Sequence, residues 1–535
     1  MTLQGAAATE MVAAAASEWR SVVGAAHVST DAAELRRSGT ATFHTTSTVA
    51  AVLRPGNRDE VQQCMRIANR LRVPVYPISG GKNWGYGSRS PVRDAVLLDL
   101  GRLNRIVELN EPLAYVTLEP GVTQRQLYER LQAGGSRLWM DATGASPESS
   151  IIGNTLERGF GHTPMGDHFG HVSGFEVVLA NGECIETGFG RFPNSTATAV
   201  SKWGVGPALD GLFTQSNLGI VTRMTVWLMP APERYCAFFF QSDRDVGELV
   251  DAIRPLRLDG TLRSVSHIGN DYKVLSSTGQ YPWADTGGRT PLSRDAVARL
   301  RSTLRIGRWN GSGGLYGTRN QVREAQAALK RALSGKVTRL TFVDERTIRW
   351  FRRLERPYAV LTRRHDLSRA LRVIPPLLDL LKGVPTDEFL ASAYWRKKSA
   401  PPEHPDLDRD RCGLLWASPV APNTGHDVQA MADVGEATAL DHGFEPLISV
   451  SLITERSTTT TISLTYDRDV PGEDARAMAC YRDTIEKLIA RGYPPYRLNT
   501  AAMDFASLGG TYGDTLRTLK RALDPNGILA PGRYE

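Results

Sequence analysis

Cysteine is scarce in this sequence. Its five cysteines are scattered along 535 residues, are odd in number and never form a CxxC pair. This usage argues against a disulfide framework and against a cysteine metal site. It predicts a protein of a reducing compartment, the cytoplasm.

Long apolar runs and strong net charge are also absent. No run of about eighteen or more apolar residues occurs, so the sequence predicts no membrane-spanning segment. The alanine-rich residues 1–20 lack a basic region at their start and contain Glu10, which is typical of a short helix rather than of an export signal. The net charge of +7 is a mild excess for a chain of this length. It favours anionic substrates and gives little support for a nucleic-acid partner.

A glycine-dense stretch, PISGGKNWGYGS (77–88), follows an apolar run that is typical of a strand. Gly80, Gly81, Gly85 and Gly87 allow backbone conformations and close approaches that a Cβ atom would prevent. A strand that leads into such a turn can aim several free backbone N–H groups at one anion. The spacing matches neither GxGxxG nor GxxxxGK[ST], so an ordinary surface loop is the alternative at this point.

Hydrophobic patterning indicates how the chain is organised. Residues 58–72 carry apolar side chains at helical spacing, and DAVLLDL (94–100) is a continuous apolar run typical of a buried strand. FEVVLANGECIET (175–187) predicts a hairpin with Asn–Gly at its tip. From near residue 232 to about 490, recognisable helix, strand and turn patterns lie farther apart, and proline-rich breaks interrupt the chain. Closely spaced patterns of this kind return in the last forty or so residues. This pattern predicts one domain built from both chain ends, with a second domain inserted between them.

Four separate stretches carry a resemblance to a known family. They are PISGGKNWGYGS (77–88), SSIIGNTLERGFGHTPMGDHFG (149–170), GVGPALDGLFTQSNLGIVTRMTVWLMP (204–230) and DPNGILAPGR (524–533). Their order and wording resemble the vanillyl-alcohol oxidase and p-cresol methylhydroxylase family of flavoproteins. The resemblance covers nearly the whole chain and thins in the middle.

The resemblance implies an α+β fold. A two-lobed FAD-binding domain of the vanillyl-alcohol oxidase type would carry an inserted α/β cap domain that holds the substrate. Residues 1–232 would form the N-terminal part of the FAD domain and residues 233–492 the cap. Residues 493–535 would complete the FAD domain and the active site. The family tends to pair through its cap surfaces, so a homodimer is expected.

The resemblance also implies where FAD binds. The glycine loop would supply backbone donors to the pyrophosphate, and small residues near position 153 would let the backbone approach the cofactor. A segment that begins at position 219 would pack against the adenine end, and the C-terminal turn would return to the flavin. The predicted FAD-binding residues are Pro77, Ser79, Gly80, Gly81, Lys82, Asn83, Gly87, Gly153, Asn154, Gly219, Ile220, Val221 and Arg533.

Three further residues match the family's substrate site. Tyr86, Tyr496 and Arg497 stand where members that oxidise para-substituted phenols bind the phenolate. A guanidinium group and two tyrosine hydroxyl donors lower the pKa of a bound phenol. The resulting phenolate makes it easier for a hydride to leave the carbon attached at the para position. Arg497 would also stabilise an anionic reduced flavin. We predict these three residues as catalytic.

The predicted function is FAD-dependent hydride abstraction from carbon of a phenolic or related aromatic substrate. Specialised metabolism is one setting for such an enzyme. O2 or another electron acceptor would reoxidise the flavin, which leaves oxidase and dehydrogenase open. A catalytically idle flavin- or ligand-binding protein of the same fold is the alternative. No metal, nucleic acid or membrane partner is expected.

Two departures from the family concern the flavin link and the acid–base group. Leu414 stands where family oxidases carry the histidine that tethers FAD, so non-covalent FAD is expected, with an unplaced cap tyrosine as the alternative anchor. The family's aspartate beside the flavin falls on Gly144, and Asp141 is expected to point elsewhere. Glu148 is a possible substitute, and its alternative interpretation is an exposed loop residue.

A third departure lies in the cap, where Thr459 and Thr460 replace an expected pair of histidines. The threonine run predicts a strand with alternate hydroxyls facing the cavity. The histidines of HTPMGDHFGH (162–171) are candidate metal ligands by residue type, but the resemblance places this segment around the flavin. His162 or His168 is a candidate proton carrier there.

Overall fold

A computed structural model describes residues 6–362, 366–506 and 509–535 of the chain. The α-helices are α1 (Ala6–Val23), α2 (Ala32–Ser38), α3 (Arg58–Leu71), α4 (Gln124–Ala133), α5 (Ile151–Leu156), α6 (Val246–Leu258), α7 (Asp271–Thr278), α8 (Arg294–Leu304), α9 (Arg319–Ala332), α10 (Glu345–Thr362), α11 (Asp366–Leu380), α12 (Gly425–Asp441), α13 (Glu473–Ile489) and α14 (Gly510–Leu523). Short 3₁₀ helices lie at Ala25–His27, Leu100–Arg102, Phe169–His171, Gly188–Arg191, Asp210–Phe213, Glu388–Tyr394 and Met503–Ala506. Among the described helices, none has the length and apolar character that crossing a bilayer requires.

The first sheet leads the chain into the glycine loop. Its strands are β1 (Val28–Ser29), β2 (Val49–Leu53), β3 (Val75–Ile78) and β4 (Ala95–Asp99), in the order β1-β2-β4-β3. Strands β2, β4 and β3 are parallel, and β4 is apolar because the sheet is covered on both faces. The C-terminal segment joins the same sheet: Val75 N–H donates to Ile528 O and Ala530 N–H donates to Val75 O, both at 2.8 Å. The last residues are thereby held beside the glycine loop.

The second sheet is antiparallel. Its strands are β5 (Ile106–Asn110), β6 (Tyr115–Leu118), β8 (Val172–Val178), β9 (Cys184–Glu186) and β10 (Ile220–Trp227), in the order β5-β6-β10-β8-β9. Two short strands, β7 (Leu138–Trp139) and β11 (Met229–Pro230), pair beside it. Strands β8 and β9 form the predicted hairpin, and Gly182 at its tip has a φ of 80°.

The third sheet supplies one wall of the site. Its strands are β12 (Arg234–Ser242), β13 (Ser266–Asn270), β14 (Trp309–Gly317), β15 (Arg339–Val343), β16 (Cys412–Ala417), β17 (Val420–Pro422), β18 (Leu447–Leu452) and β19 (Ser457–Asp467). The order is β15-β12-β14-β13-β18-β19-β16, with β17 paired to β19. Helices α6, α9, α12 and α13 share one apolar core with this sheet, and Ile448, Val450, Ile462 and Leu464 face that core. The intervening residues of β18 and β19 therefore face the opposite way.

The α+β fold class is confirmed. The strands of the third sheet all come from residues 234–467, between segments that build the other two sheets. The helix predicted over 58–72 is α3, and its predicted apolar residues Val61, Cys64, Met65 and Ala68 are buried. The domain limits at 232 and 492 stay predictions.

Thr42 joins the third sheet to the glycine loop. The Thr42 hydroxyl donates to the carbonyl of Leu414 at 2.9 Å and accepts from the Gly85 N–H at 3.0 Å. The Thr42 carbonyl also accepts from the Leu414 N–H at 3.0 Å. Thr42 is fully buried, so water cannot replace these partners.

We predict that Thr42→Val weakens this joint, because it keeps the side-chain shape and leaves two buried backbone groups unpaired. The expected loss is about 1–3 kcal/mol of unfolding free energy. Thr42→Ser keeps the hydroxyl and is the matched control. Thermal unfolding of the three proteins checks this, and equal melting temperatures for the valine and serine variants would contradict it.

Candidate active site

A cavity of about 430 Å³ lies where the sheets and the C-terminal segment meet. Its wall includes the glycine loop, the start of α5, the start of β10 and the polar face of the third sheet. The predicted FAD-binding residues in this wall are Pro77, Ser79, Gly81, Lys82, Asn83, Gly153, Asn154, Gly219, Ile220, Val221 and Arg533. Two others, Gly80 and Gly87, do not line it and instead shape the loop, with φ values of 98° and 127°.

The glycine loop fits a bound pyrophosphate. Within the described part of the chain, no acceptor is found for the backbone N–H groups of residues 79–83. Gly153 allows the close approach of this loop, because a Cβ atom there would lie 2.5 Å from Ser79 Oγ. Consecutive free N–H groups in a turn form an anion-binding concavity. FAD, which has an anionic pyrophosphate, therefore fits the residues that are present.

The three predicted catalytic residues meet at one place in the cavity wall. The Tyr86 hydroxyl lies 2.9 Å from Ser418 Oγ, and the Arg497 guanidinium lies 4.1 Å from the centre of the Tyr86 ring. The Tyr496 backbone N–H donates to the Ser418 carbonyl at 3.0 Å, so Ser418 contacts the Tyr86 side chain and the Tyr496 backbone. Desolvation raises the pKa of Tyr86 well above its ordinary value, so its hydroxyl keeps its proton.

Glu157 holds two arginines at this end of the cavity. Arg497 Nε donates to Glu157 Oε2 at 3.1 Å, and Arg533 donates to the other carboxylate oxygen and to the Tyr76 hydroxyl. Desolvation alone would raise the pKa of Glu157, but Arg533 and Arg497 outweigh it, and the pKa is lowered. One anion between two cations leaves a net positive charge, which favours an anionic ligand.

An aromatic side chain packs against the position to which the resemblance assigns an aspartate. A Cβ atom on Gly144 would lie 3.3 Å from Phe389 Cδ2, so the Phe389 ring is in close contact with this position. Glu148 does not replace the aspartate, since this half-exposed residue forms an ion pair with Arg125. Asp141 does not line the cavity and lies 2.6 Å from His168 Nε2.

Two imidazoles do face the cavity. His162 and His267 lie with ring centres 4.3 Å apart, and His267 Nδ1 lies 3.0 Å from Ser451 Oγ. Desolvation lowers the pKa of His162 to about 4 and that of His267 well below its ordinary value. Both rings are therefore neutral at neutral pH. His168, the other candidate proton carrier, lies behind the wall between Asp141 and Asn154.

The threonine run is a strand, as predicted. Its hydroxyls face the cavity only after Thr459 and Thr460, the two residues that stand where a histidine pair was expected. Thr459 and Thr460 do not line the cavity. The alternate residues that follow in β19 do, and the same is true of two serines in β18. This hydroxyl wall consists of Ser449, Ser451, Thr461, Ser463 and Thr465. Leu414 also lines the cavity, and among the described residues no cap tyrosine does.

Sequence reasoning missed Glu157, Ser418, His267 and Lys273, which all belong to the site. Glu157 stands directly after a short helix in a stretch that the resemblance covers, and this is the only signal that could have drawn attention to it. The other three lie in the predicted cap, where the resemblance to the family is weaker. No sequence pattern marks them, and only their neighbours in the folded structure show that they belong to the site.

We predict that Glu157→Gln lowers the free energy of unfolding by about 2 kcal/mol at neutral pH, because two cations lose their shared anion. The pKa of Glu157 is lowered on folding. The difference from the unchanged protein should therefore persist above the ordinary glutamate pKa and shrink as the pH falls through the folded value. Thermal unfolding across pH measures it.

Glu148→Gln is the matched control, since Glu148 pairs with Arg125 at the surface. We expect a change close to zero for this variant. Equal effects of the two substitutions at neutral pH would contradict the role given to Glu157.

The chain has relatives along nearly its whole length. A family model described as an FAD binding domain matches residues 49–188. The 1'-carboxy-chondrochloren decarboxylase of Chondromyces crocatus is 47% identical over 532 residues, which is 98% of each chain. The 4-cresol dehydrogenase [hydroxylating] flavoprotein subunit of Pseudomonas putida is 32% identical over 484 residues, covering 89% of this chain and 85% of that protein.

A solved structure agrees with these relatives. The crystal structure of p-cresol methylhydroxylase with substrate bound superposes with a TM-score of 0.87 at 29% identity, covering 98% of this chain and 97% of that one. The glycine loop with free N–H groups and the inserted antiparallel sheet are thus accompanied by likeness in sequence and structure across the whole chain. The chain belongs to the vanillyl-alcohol oxidase and p-cresol methylhydroxylase family of FAD-dependent oxidoreductases.

Proposed function

We propose that this protein removes a hydride from the carbon that is attached to the ring para to a phenol hydroxyl. The observation that carries the proposal is the meeting of Tyr86, Tyr496 and Arg497 in one part of the cavity wall. A cation beside neutral hydroxyl donors stabilises a phenolate over a phenol. The phenolate then donates electron density to the para position of the ring, so a hydride leaves more readily from the carbon attached there.

FAD fits the proposal through the residues of this chain. The free N–H groups of residues 79–83 would hold its pyrophosphate, and Gly153 lets the glycine loop pack closely beside α5. When bound, FAD supplies the two-electron acceptor. Reoxidation by O2 or by another acceptor would complete the cycle. The homodimer and the cytoplasmic location stay predictions.

Loss of CO2 is a second candidate outcome of the same oxidation. The relative from Chondromyces crocatus is by name a decarboxylase, whereas the Pseudomonas putida relative is by name a hydroxylating dehydrogenase. Hydroxylation requires an activated water, and Phe389 packs against Gly144, where the resemblance assigns an aspartate. The specific observation that favours decarboxylation is this missing base.

We predict that Arg497→Met slows flavin reduction by para-ethylphenol about 10²- to 10³-fold, because the developing phenolate loses its cation. Anaerobic stopped-flow absorbance of the FAD-loaded protein measures the rate constant. Arg491→Met, at an exposed arginine after α13, is the matched control and should leave the rate unchanged. Equal rates for the two variants would remove the support for phenolate binding at this end.

We predict that FAD is bound without a covalent link, since Leu414, which lines the cavity, stands where the resemblance to family oxidases places an anchoring histidine. Acid precipitation of the yellow protein should release the flavin absorbance into the supernatant. Colour that remains in the pellet would show a covalent link through another residue of the cavity wall. Free FAD carried through the same precipitation with an unrelated protein is the control.

A further inference from the structure

A lysine without an acidic partner lies in the wall of the cavity. Lys273 stands in the first turn of α7, where the Asn270 side chain accepts a hydrogen bond from the Lys273 backbone N–H at 3.0 Å. The Lys273 Nζ atom lies 3.5 Å from Ser392 Oγ, and no carboxylate of the described residues forms an ion pair with it. Desolvation lowers the pKa of Lys273 to about 8, so the ammonium group stays mostly charged at neutral pH.

The other cations of the wall already have partners. Lys82 donates to Asp406 at 2.8 Å, and the two arginines share Glu157. Glu157 is the only acidic side chain among the described residues that line the cavity. An ammonium group in a desolvated place is stabilised by a nearby anion. No carboxylate of the described residues pairs with Lys273, so an anionic group of a bound ligand would be its counterion.

The surroundings of Lys273 suit a carboxylate. Ser449 stands opposite Thr461 across β18 and β19, next to Gly269, and Gly269 packs on the Lys273 side chain. The hydroxyl wall thus adds neutral donors beside the ammonium group. The free backbone N–H groups of residues 79–83 would bind the phosphates of FAD, in the first sheet's part of the wall. This leaves Lys273 free for the substrate.

We propose that Lys273 and the hydroxyl wall bind a carboxylate of the phenolic substrate, carried by the carbon next to the one that loses the hydride. This inference rests on the proposed function. It defines the substrate class as 3-(4-hydroxyphenyl)propanoates, with or without further substituents. The carboxylate reaches toward Lys273 while the phenolate oxygen lies with Tyr86 and Arg497.

Oxidative decarboxylation of this substrate class needs no base to remove a proton from carbon. Hydride departure from the carbon attached to the ring leaves a quinone methide and passes two electrons to the acceptor. The bond between the adjacent carbon and the carboxylate then breaks, and its electron pair becomes a carbon–carbon double bond. The ring regains aromaticity as a phenolate, and CO2 leaves. The product is a para-vinyl phenolate, and no proton is removed from carbon.

This chemistry explains the pair formed by Gly144 and Phe389. A base at position 144 would activate water against the quinone methide, which is the competing hydroxylation. Phe389 packs an apolar ring against that position, so no side chain there can activate water. A quinone methide bound beside this ring would meet no base before CO2 is lost.

Lys273 acts in this scheme as a residue that binds and orients substrate. During decarboxylation, negative charge moves from the carboxylate to the phenolate oxygen, away from Lys273 and toward Arg497. An interaction that is stronger before the reaction than in the transition state lowers KM without raising kcat. Lys273 should therefore determine substrate affinity and selectivity more than the rate of the chemical step.

Binding of a matched pair of unreactive ligands tests the proposal. 4-Hydroxyphenoxyacetate has the length of the substrate, but an oxygen replaces the reacting carbon, and its primary amide lacks the charge. Isothermal titration calorimetry with FAD-loaded protein gives Kd for both. Lys273→Met should weaken the acid about 10- to 100-fold and the amide by less than about threefold. Lys273→Arg should restore most of the affinity, and Lys330→Met, at an exposed lysine of α9, should change neither value.

Equal loss of acid and amide binding, or no loss of either, would overturn the proposal. A loss of FAD confined to Lys273→Met would also overturn it, since the lysine would then serve the cofactor. Products give the second readout: 3-(4-hydroxyphenyl)propanoate should yield para-vinylphenol and one CO2 per flavin reduced. A hydroxylated acid that retains its carboxylate would contradict the decarboxylation. Failure of para-ethylphenol to reduce the flavin would instead reject the proposed function, independently of the Lys273 binding result.

Discussion

One carboxylate, Glu157, ties together three parts of the chain that are far apart in sequence. It lies just after α5, and it pairs with Arg497 and with Arg533 near the C-terminus. Desolvated ion pairs cost free energy to assemble, and removing one partner leaves the others uncompensated. The position of the arginine that is proposed to bind the phenolate and the anchoring of the C-terminal segment at the cavity therefore depend on the same group.

The cavity wall carries positive charge at two separate places. Arg497 and its neighbours leave a net positive charge where a phenolate is proposed to bind, and Lys273 presents a second cation beside the hydroxyl wall. His162 and His267 are neutral, so the imidazoles add hydrogen-bonding atoms without charge. A substrate with an anion at each end matches this distribution, and electrons that move from one anion to the other stay near a cation throughout.

Much of the fold could be predicted because its signals are local. The apolar spacing of α3, the Asn–Gly tip of the β8–β9 hairpin and the apolar run of β4 each follow from a few neighbouring residues. The glycine loop was predicted as an anion site from glycine density after a strand, and its N–H groups are free as that prediction requires. The roles of Tyr86, Tyr496 and Arg497 came from resemblance, since no local pattern marks an isolated tyrosine or arginine.

The sequence by itself determined the glycine-rich stretch, the resemblance that implies the α+β class, and the glycine at position 144. Only the tertiary structure decided what packs against that glycine and what faces the cavity. Phe389 contacts Gly144 from a distant part of the chain, and Lys273 becomes unusual only because no carboxylate of the described residues comes near it. Periodicity shows which residues share a face of a strand or helix. Which charged groups and which cavities that face meets depends on segments that are far away in the sequence. Only folding brings these segments together.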